Sequence, residues 1–238
     1  MALDLQSIYI LASGGSRAME QLDTVTNNLA NVNTDGFKKL VIKEMSQRLD
    51  ENGGDANHLF VFPRFQEALV YNKQGNLKAT DNPYDLAIEG EGLFKVMTKD
   101  GALYTRNGHF FMNSEGKLVD KNGNFLLSTD EKPITLDPKA PFSVSEDGVI
   151  FQNGEQVATI AIESYEKIEA VGDTYYKPAG AMQEPDYRIK QGYLEQSNVN
   201  AVTEMTAMIT AHRRFEIYSN MIRSLDQLNQ KTNEIGKA

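Results

Sequence analysis

The sequence contains no cysteine and no tryptophan among its 238 residues. Without cysteine there is no disulfide bond, no thiolate metal site and no cysteine nucleophile. The three histidines, His58, His109 and His212, lie far apart in the chain. None of the motif spacings typical of serine hydrolases, zinc proteases or phosphate-binding loops is present. The sequence gives no support for an enzyme, and we predict no catalytic residue, no metal site and no cofactor.

Basic residues are also scarce. The chain has 24 Lys and Arg against 33 Asp and Glu, which gives a formal net charge of -9. A protein of this sign has no general attraction for nucleic acid or anionic lipid. Lys38-Lys39 and Arg213-Arg214 are the only strong basic clusters near the ends of the chain. We therefore expect no nucleic-acid partner.

Long apolar runs are missing as well. The first residues include Asp4 but no basic residue, and the apolar run from Tyr9 to Ala12 is too short for the core of a signal peptide. Nothing approaches the roughly 20 apolar residues that a membrane-spanning helix needs. We expect neither a cleavable signal peptide nor direct membrane insertion.

A regular apolar pattern occupies the N-terminal part of the chain. Apolar or small residues recur at alternating steps of three and four, which is typical of a coiled-coil seam: Leu5, Ile8, Ala12, Gly15, Met19, Leu22, Thr26 and Leu29. The adjacent Gly14 and Gly15 each weaken a helix by about 1 kcal/mol relative to alanine. The pattern predicts a long helix that is marginal alone and needs a partner surface.

The end of this helix is rich in asparagine and glycine. The stretch from Asn27 to Lys38 contains four asparagines and the dipeptide Asp35-Gly36. Asparagine and glycine tolerate the backbone conformations that end helices and form turns. We predict that Asn28, Asn31, Gly36 and Phe37 shape the turn by which the chain leaves the helix.

A second apolar pattern lies at the C-terminal end, from about Val199 to Ile235. Its seam runs through Ala201, Met205, Met208, Ala211, Phe215, Tyr218, Ile222 and Leu225. Ser197 or Asn198 is suited to cap the start of this helix. Because Ile209, Met221 and Leu228 flank the seam, the helix is apolar on more than one side and is expected to contact more than one neighbour.

The residues between the two helices follow a period of two, interrupted by frequent turn dipeptides. Asp100-Gly101, Asn107-Gly108, Glu115-Gly116 and Asn122-Gly123 separate short apolar segments. This pattern predicts antiparallel strands joined by hairpins. The predicted fold class is α+β, with N- and C-terminal coiled-coil-type helices flanking a central antiparallel β domain.

The sequence divides into four predicted segments. Polar, glycine-rich residues 50–57 indicate a loop within the second segment. The segments are an N-terminal assembly helix (1–36), an extended connector (37–74), a central β domain with an irregular C-terminal connector (75–190), and a C-terminal assembly helix (191–238).

Three blocks of sequence form a recognisable set: Asn27 to Lys38, Asp85 to Phe94 with Tyr104 to Phe110, and Gly192 to Val199 with the following Glu204-Met205 and Arg213-Arg214-Phe215-Glu216. These blocks resemble the bacterial flagellar basal-body rod proteins, relatives of the hook protein. They occur in the order of the family and together span nearly the whole chain. Within the family, the short chain and the stretch from Gln74 to Thr80 are most similar to the proximal rod type, because the distal type is usually longer.

The resemblance implies a structural subunit of the rod that spans the periplasm. It implies export from the cytoplasm by the flagellar type III apparatus without a cleaved signal. It also implies that the terminal helices pack with other copies of the chain and with other rod and hook axial proteins. The alternatives are the distal rod type and a non-flagellar binding module built from a coiled coil and a β domain.

Five apolar residues are the predicted assembly interface: Leu22, Leu29, Phe215, Ile222 and Leu225. For each of them, packing inside the chain's own fold is the alternative that the sequence leaves open.

Overall fold

A computed structural model describes residues 2–47 and 62–235. The loop expected at residues 50–57, and His58 after it, lie outside the described residues. Two long helices are present, α1 (Ala2–Ala30) and α2 (Ala201–Ile235). No helix in the described residues is long and apolar enough to cross a membrane.

The strands lie between the two helices. In chain order they are β1 (Leu40–Gln47), β2 (Phe62–Val70), β3 (Leu77–Ala79), β4 (Leu86–Gly90), β5 (Leu93–Thr98), β6 (Gly101–Thr105), β7 (Phe111–Met112), β8 (Leu118–Val119), β9 (Phe125–Leu126), β10 (Phe142–Val144), β11 (Val149–Gln152), β12 (Glu155–Thr159), β13 (Ile162–Tyr165), β14 (Ile168–Gly172), β15 (Tyr175–Pro178), β16 (Met182–Gln183), β17 (Tyr187–Gln191) and β18 (Tyr193–Glu195).

The chain divides into two compact units. The first contains the described residues of 1–30, 40–69 and 200–238, and the second contains 31–39 and 70–199. Helices α1 and α2 contact each other in the first unit, where β1 and β2 also form a two-stranded sheet. Each unit is therefore assembled from segments that are distant in the sequence.

The second unit is the antiparallel β domain expected from the sequence. Its largest sheet has the order β14-β15-β6-β5-β9-β8-β7, and β13 also pairs with β5. Strands β10-β11-β12 form a separate sheet, and β17 pairs with β4 and β18 with β3. The main core is formed by buried residues of these strands and their loops, among them Phe94, Val96, Phe110, Leu126 and Ile150. The predicted helix–β–helix order is confirmed.

The element boundaries differ from the predicted segments at three places. Helix α1 ends at Ala30 and not at residue 36, and α2 begins at Ala201 and not at residue 191. The segment 37–74, expected to be an extended connector, contains the paired strands β1 and β2. Strand pairing depends on residues far along the chain, so the local pattern did not show it.

Candidate assembly face and helix-exit turn

The packing of α1 against α2 is close at its glycines. A Cβ atom added to Gly14 would lie 2.5 Å from a ring carbon of Tyr218, whereas one added to Gly15 would lie 3.6 Å from the nearest atom, the Cβ of Tyr218. Ala18 and Val25 of α1 and Ala211 of α2 are buried. Small side chains thus allow the two helices to approach each other.

The buried face of α1 is offset by one residue from part of the predicted seam. Met19 is 53 % exposed and Thr26 is also exposed, while the preceding residues Ala18 and Val25 are buried. Because the small Ala18 is buried in place of Met19, the buried face of α1 stays narrow near Gly14 and Gly15. The seam retains its steps of three and four but includes smaller residues than the pattern alone suggests.

Helix α2 leaves many apolar side chains exposed. Of the residues placed on its seam, Met205 and Phe215 are 51 % and 37 % exposed. Other exposed apolar residues of α2 are Val202, Ile209, Ile217, Met221 and Leu228. Exposed apolar residues recurring along one helix mark an interaction surface.

Part of this surface forms a groove with α1. The groove has a volume of about 660 Å³ and is lined by Ile10, Leu11, Ile217, Asn220, Met221, Ser224 and Leu225. Most of these side chains are apolar. The groove is therefore suited to receive apolar side chains of a partner.

The five predicted interface residues are divided between these environments. Leu22, Leu29 and Ile222 are half-buried, Leu225 is half-buried and lines the groove, and Phe215 is partly exposed. Packing within the chain thus accounts for part of the surface of four of them.

Asn28 holds the start of β1 through its side-chain amide. Its Nδ2 donates to the carbonyl oxygen of Leu40 at 2.9 Å, and its Oδ1 accepts the amide of Leu40 at 2.8 Å. The same Nδ2 also lies 3.2 Å from a carboxylate oxygen of Glu204, and both side chains are buried. The amide thus pairs with the backbone as a neighbouring strand would. The structure places Asn28 inside α1, before the turn.

The turn after α1 belongs to the β domain. The amide of Thr34 donates to the carbonyl of Asn31 at 3.1 Å, and the Thr34 hydroxyl donates to Asn31 Oδ1 at 3.2 Å. Gly36 has a φ of 72°, and a Cβ atom there would overlap the backbone of Asn107. Phe37 is buried. Asn31 and Gly36 lie in the turn after α1, and Phe37 follows it directly.

A buried charged cluster follows the turn directly. The Lys38 ammonium lies 2.6 Å from Glu195 Oε1, and Arg106 Nη1 donates to Glu195 Oε2 at 3.0 Å. The side chains of all three residues are almost fully buried. Burial lowers the pKa of Lys38 to about 8, opposed by the charge of Glu195. Lys38 belongs to the basic pair Lys38-Lys39 in the sequence, but its ammonium is enclosed in the structure.

Backbone groups supply further partners to this cluster. Lys38 Nζ also donates to the carbonyl of Lys73 at 2.8 Å, and the amide of Gly75 donates to Glu195 Oε1 at 2.8 Å. Arg106 Nη1 donates to the carbonyl of Ile88 at 2.8 Å, and its Nη2 donates to that of Gly90. A buried charge needs such partners to be tolerated.

Asn198 makes a second set of contacts in the same unit. Its Oδ1 accepts the amide of Lys39 at 2.7 Å, and its Nδ2 donates to the carbonyls of Tyr71 and Lys73 at 2.9 and 2.7 Å. Asn198 therefore does not cap α2. That role belongs to Asn200, whose Oδ1 accepts the amide of Thr203 at 3.0 Å.

Sequence reasoning gave no role to Glu195 or Arg106 and considered Asn198 only as a cap of α2, although all three lie in the blocks that carry the family resemblance. The only hint of a buried charge that the sequence offered was a charged residue directly beside an apolar one, as in Leu194-Glu195. Their partners lie up to 159 positions away in the chain, so the local pattern could not pair them.

His109 has a buried carboxylate partner. His109 Nδ1 lies 2.6 Å from Asp85 Oδ1, and the His109 ring packs on the edge of Phe111. Asp85 also accepts a hydrogen bond from Asn82. No group of three or more potential metal ligands occurs in the described residues. These contacts explain His109 as a packing residue of the β domain.

Three family models match successive parts of the chain. Residues 8–38 match the flagella basal body rod protein model, 87–152 match the D1 domain of the flagellar hook protein FlgE/F/G, and 190–235 match the C-terminal model of the flagellar basal body rod FlgEFG proteins. The matched ranges contain the first and third sequence blocks, the second block from Ala87 onward, and the cluster residues Lys38, Arg106 and Glu195.

Curated relatives align along nearly the entire chain. The flagellar basal-body rod protein FlgF of Mesorhizobium japonicum is 32% identical over 225 residues, covering 91% of this chain and 92% of the relative. FlgF of Caulobacter vibrioides is 33% identical over 243 residues, covering 97% and 98%. FlgG of Bacillus subtilis is 30% identical over 257 residues, covering 95% and 97%.

Proposed function

Because this chain belongs to the family of flagellar basal-body rod proteins, we propose that it polymerises into the rod through the exposed apolar surface of its paired helices. It is a structural subunit of the basal body of the bacterial flagellum. What we propose is which surface copies of the chain use to join one another. The binding module considered from the sequence is not supported by the family matches.

The observation that carries the proposal is the apolar surface left after α1 and α2 have packed together. The groove near Met221 and the row Val202, Met205 and Ile209 are separate stretches of apolar residues on the helical unit. Side chains of this kind gain about 25 cal/mol for each Å² removed from water. Both stretches therefore favour association with another protein surface.

The two stretches are suited to a head-to-tail contact. If the row around Met205 of one copy enters the groove around Met221 of the next, each copy uses two different surfaces. A contact between different surfaces that does not close on itself generates a helical filament. Coiled-coil-type packing of the terminal helices between neighbours is the geometry that we propose for it.

The predicted interface residues take different parts in this proposal. Leu225 lines the groove, and Phe215 presents an exposed edge of α2 to a neighbour. Leu22, Leu29 and Ile222 keep part of their surface free and would complete the contact. The first unit then serves as the assembly unit.

Chain length supports the proximal position in the rod. Alignments with the FlgG relatives of Bacillus subtilis and Caulobacter vibrioides extend over 257 and 262 positions, more than the 238 residues of the chain. Those relatives therefore carry insertions, whereas the two FlgF alignments are shorter, at 225 and 243 positions. The short form agrees with the proximal type that the sequence resembles.

The route to the rod is also proposed from the family. Export by the flagellar type III apparatus would carry the chain to the periplasm, where it would join other rod and hook proteins. Secretion of the chain should stop when the export gate is deleted.

The assembly surface can be tested with two matched methionines. Met221→Glu introduces a charge into the groove, while Met182→Glu introduces the same charge at a 63 % exposed methionine of β16. Each variant is expressed in a strain that lacks the native gene. We expect Met221→Glu to be secreted but to abolish swimming and rod assembly, and Met182→Glu to swim. Swimming and normal rods with Met221→Glu would overturn the proposed surface.

A further inference from the structure

Three segments of the β domain, each next to a point where the chain passes to the helical unit, are hydrogen-bonded to one another. The chain passes from one unit to the other after residues 30, 39, 69 and 199. Residues 36–39, 71–75 and 195–198 of the β domain adjoin these passages and bond to one another. We call these three segments the neck.

Glu195 connects the first two neck segments to the third. Its backbone carbonyl accepts the amide of Gly36 at 2.7 Å, and its Oε1 accepts both Lys38 Nζ and the amide of Gly75. A Cβ atom on Gly75 would overlap the carbonyl oxygen of Gln196. The segments are thus too close for a side chain at this point.

Asn198 repeats the connection three residues later. Its amide binds Lys39 on one side and the carbonyls of Tyr71 and Lys73 on the other. The first two neck segments are also bonded directly to each other, because the amide of Tyr71 donates to the carbonyl of Lys39 at 2.8 Å. Each neck segment is therefore bonded to both of the others.

Further contacts anchor the neck to the strands of the β domain. Arg106 binds the second carboxylate oxygen of Glu195 and the carbonyl of Ile88, and the Tyr176 hydroxyl accepts the amide of Lys38 at 3.0 Å. Tyr176 is buried in a cluster with Leu93 and Tyr104 of the large sheet. The neck is continuous with the packed interior.

We propose that the neck is a single cooperative clamp, controlled by Glu195 and Asn198, that opens and closes as one unit. Because every segment depends on the other two, releasing one should release all three. The clamp would hold residues 36–39, 71–75 and 195–198 together within the β domain. Its value to a rod subunit rests on the proposed function, but the clamp itself is a property of the isolated chain.

Hydrogen exchange of the full-length monomer tests the clamp. Asn198→Ala removes the bonds to Lys39, Tyr71 and Lys73 but touches none of the bonds to Glu195. The Gly36 and Gly75 amides both donate to Glu195. Since three hydrogen bonds are lost, we expect exchange of the Lys39, Gly36 and Gly75 amides to accelerate together by about tenfold or more. Acceleration at Lys39 alone would overturn the clamp.

Gln152 supplies the matched control. Its amide accepts from the backbone of Asp137 and donates to the carbonyls of Asp137 and Ala140, the same pattern of one accepted and two donated bonds. We expect Gln152→Ala to accelerate exchange at Asp137 and to leave Gly36 and Gly75 unchanged. Equal acceleration at Gly36 and Gly75 in both variants would show general loosening and contradict a specific clamp.

Asn198→Asp is a gentler second variant. It keeps an oxygen acceptor for the Lys39 amide but loses the donors to Tyr71 and Lys73. A cooperative clamp requires Gly36 and Lys39 to exchange faster in this variant too. If both stay protected, the segments open independently and the proposal fails. Neither measurement depends on assembly, so a failed clamp is distinguishable from a failed rod interface.

Discussion

At the scale of single residues, Glu195 balances the charge of a buried cluster. It is the only carboxylate in contact with the cations of Lys38 and Arg106 among the ion pairs of the described residues. Removing one partner of a buried ion pair leaves a charge without compensation, which costs about 3–5 kcal/mol. Substitutions of the three residues should therefore lower the free energy of unfolding by clearly different amounts.

Glu195→Gln should destabilise the protein more than Lys38→Met. The first change leaves two buried cations without a carboxylate partner, whereas the second leaves Glu195 paired with Arg106. We expect a loss of about 3–5 kcal/mol for Glu195→Gln in urea unfolding and a smaller loss for Lys38→Met.

The exposed pair Glu89–Lys190 provides the control for this comparison. Its atoms are 2.9 Å apart, but both side chains are more than 40 % exposed. Glu89→Gln should change the unfolding free energy by less than about 1 kcal/mol. A similar loss for Glu89→Gln and Glu195→Gln would contradict the role given to burial.

Alkaline pH should weaken the fold through its tyrosines. Burial and the carboxylate of Asp120 raise the pKa of Tyr175 to about 12, and burial raises the pKa of Tyr104 to about 12 as well. Between pH 10 and 12 the unfolded chain loses these protons while the folded chain keeps them. The unfolding free energy must therefore fall across this window.

Tyr175→Phe tests the source of that fall. Phenylalanine has no hydroxyl to titrate, so the decline between pH 10 and 12 should be shallower in the variant, measured by urea unfolding at each pH. The lowered pKa of Lys38 acts with the opposite sign, raising stability from pH 8 to about 10.5, and it is present in both proteins. An unchanged slope would contradict the prediction.

At the scale of elements, the pairing of α1 with α2 depends on which glycine faces Tyr218. Alanine favours a helix by about 1 kcal/mol over glycine at either position. The added methyl group meets the Tyr218 ring at Gly14 but finds ordinary contact distance at Gly15. The two adjacent positions therefore separate helix propensity from packing.

We expect Gly15→Ala to raise the thermal stability of the helical signal and Gly14→Ala to lower it relative to Gly15→Ala. Circular dichroism at 222 nm on heating measures both. Combining Gly14→Ala with Tyr218→Ala should remove the difference, because the clashing ring is gone. Equal stabilisation by both single variants would show that α2 does not lie against Gly14.

The elements also show how far the sequence could predict the structure. The helices and hairpins follow from local patterns, as does the turn at Gly36, where only glycine fits against the backbone of Asn107. The burial of Lys38 could not be predicted, because its partner Glu195 lies 157 positions away in the chain. Strands β1 and β2 were not predicted because their pairing joins segments on either side of a polar stretch.

At the scale of the whole molecule, the rod interface is the central claim. The helical unit carries the groove around Met221 and the apolar row around Met205 on the same helix. Sixteen residues of α-helix separate these two positions by about 24 Å. A short cross-linker cannot join them within one copy, so any cross-link between them must join two copies.

Cysteine cross-linking in purified basal bodies tests this claim most directly, because the chain has no cysteine of its own. Chains carrying both Met205→Cys and Met221→Cys are assembled and treated with a short bis-maleimide. The proposed head-to-tail contact predicts dimers and larger multimers with the double variant and only monomers with either single variant. Monomers alone from the double variant, or dimers from a single variant, would contradict it.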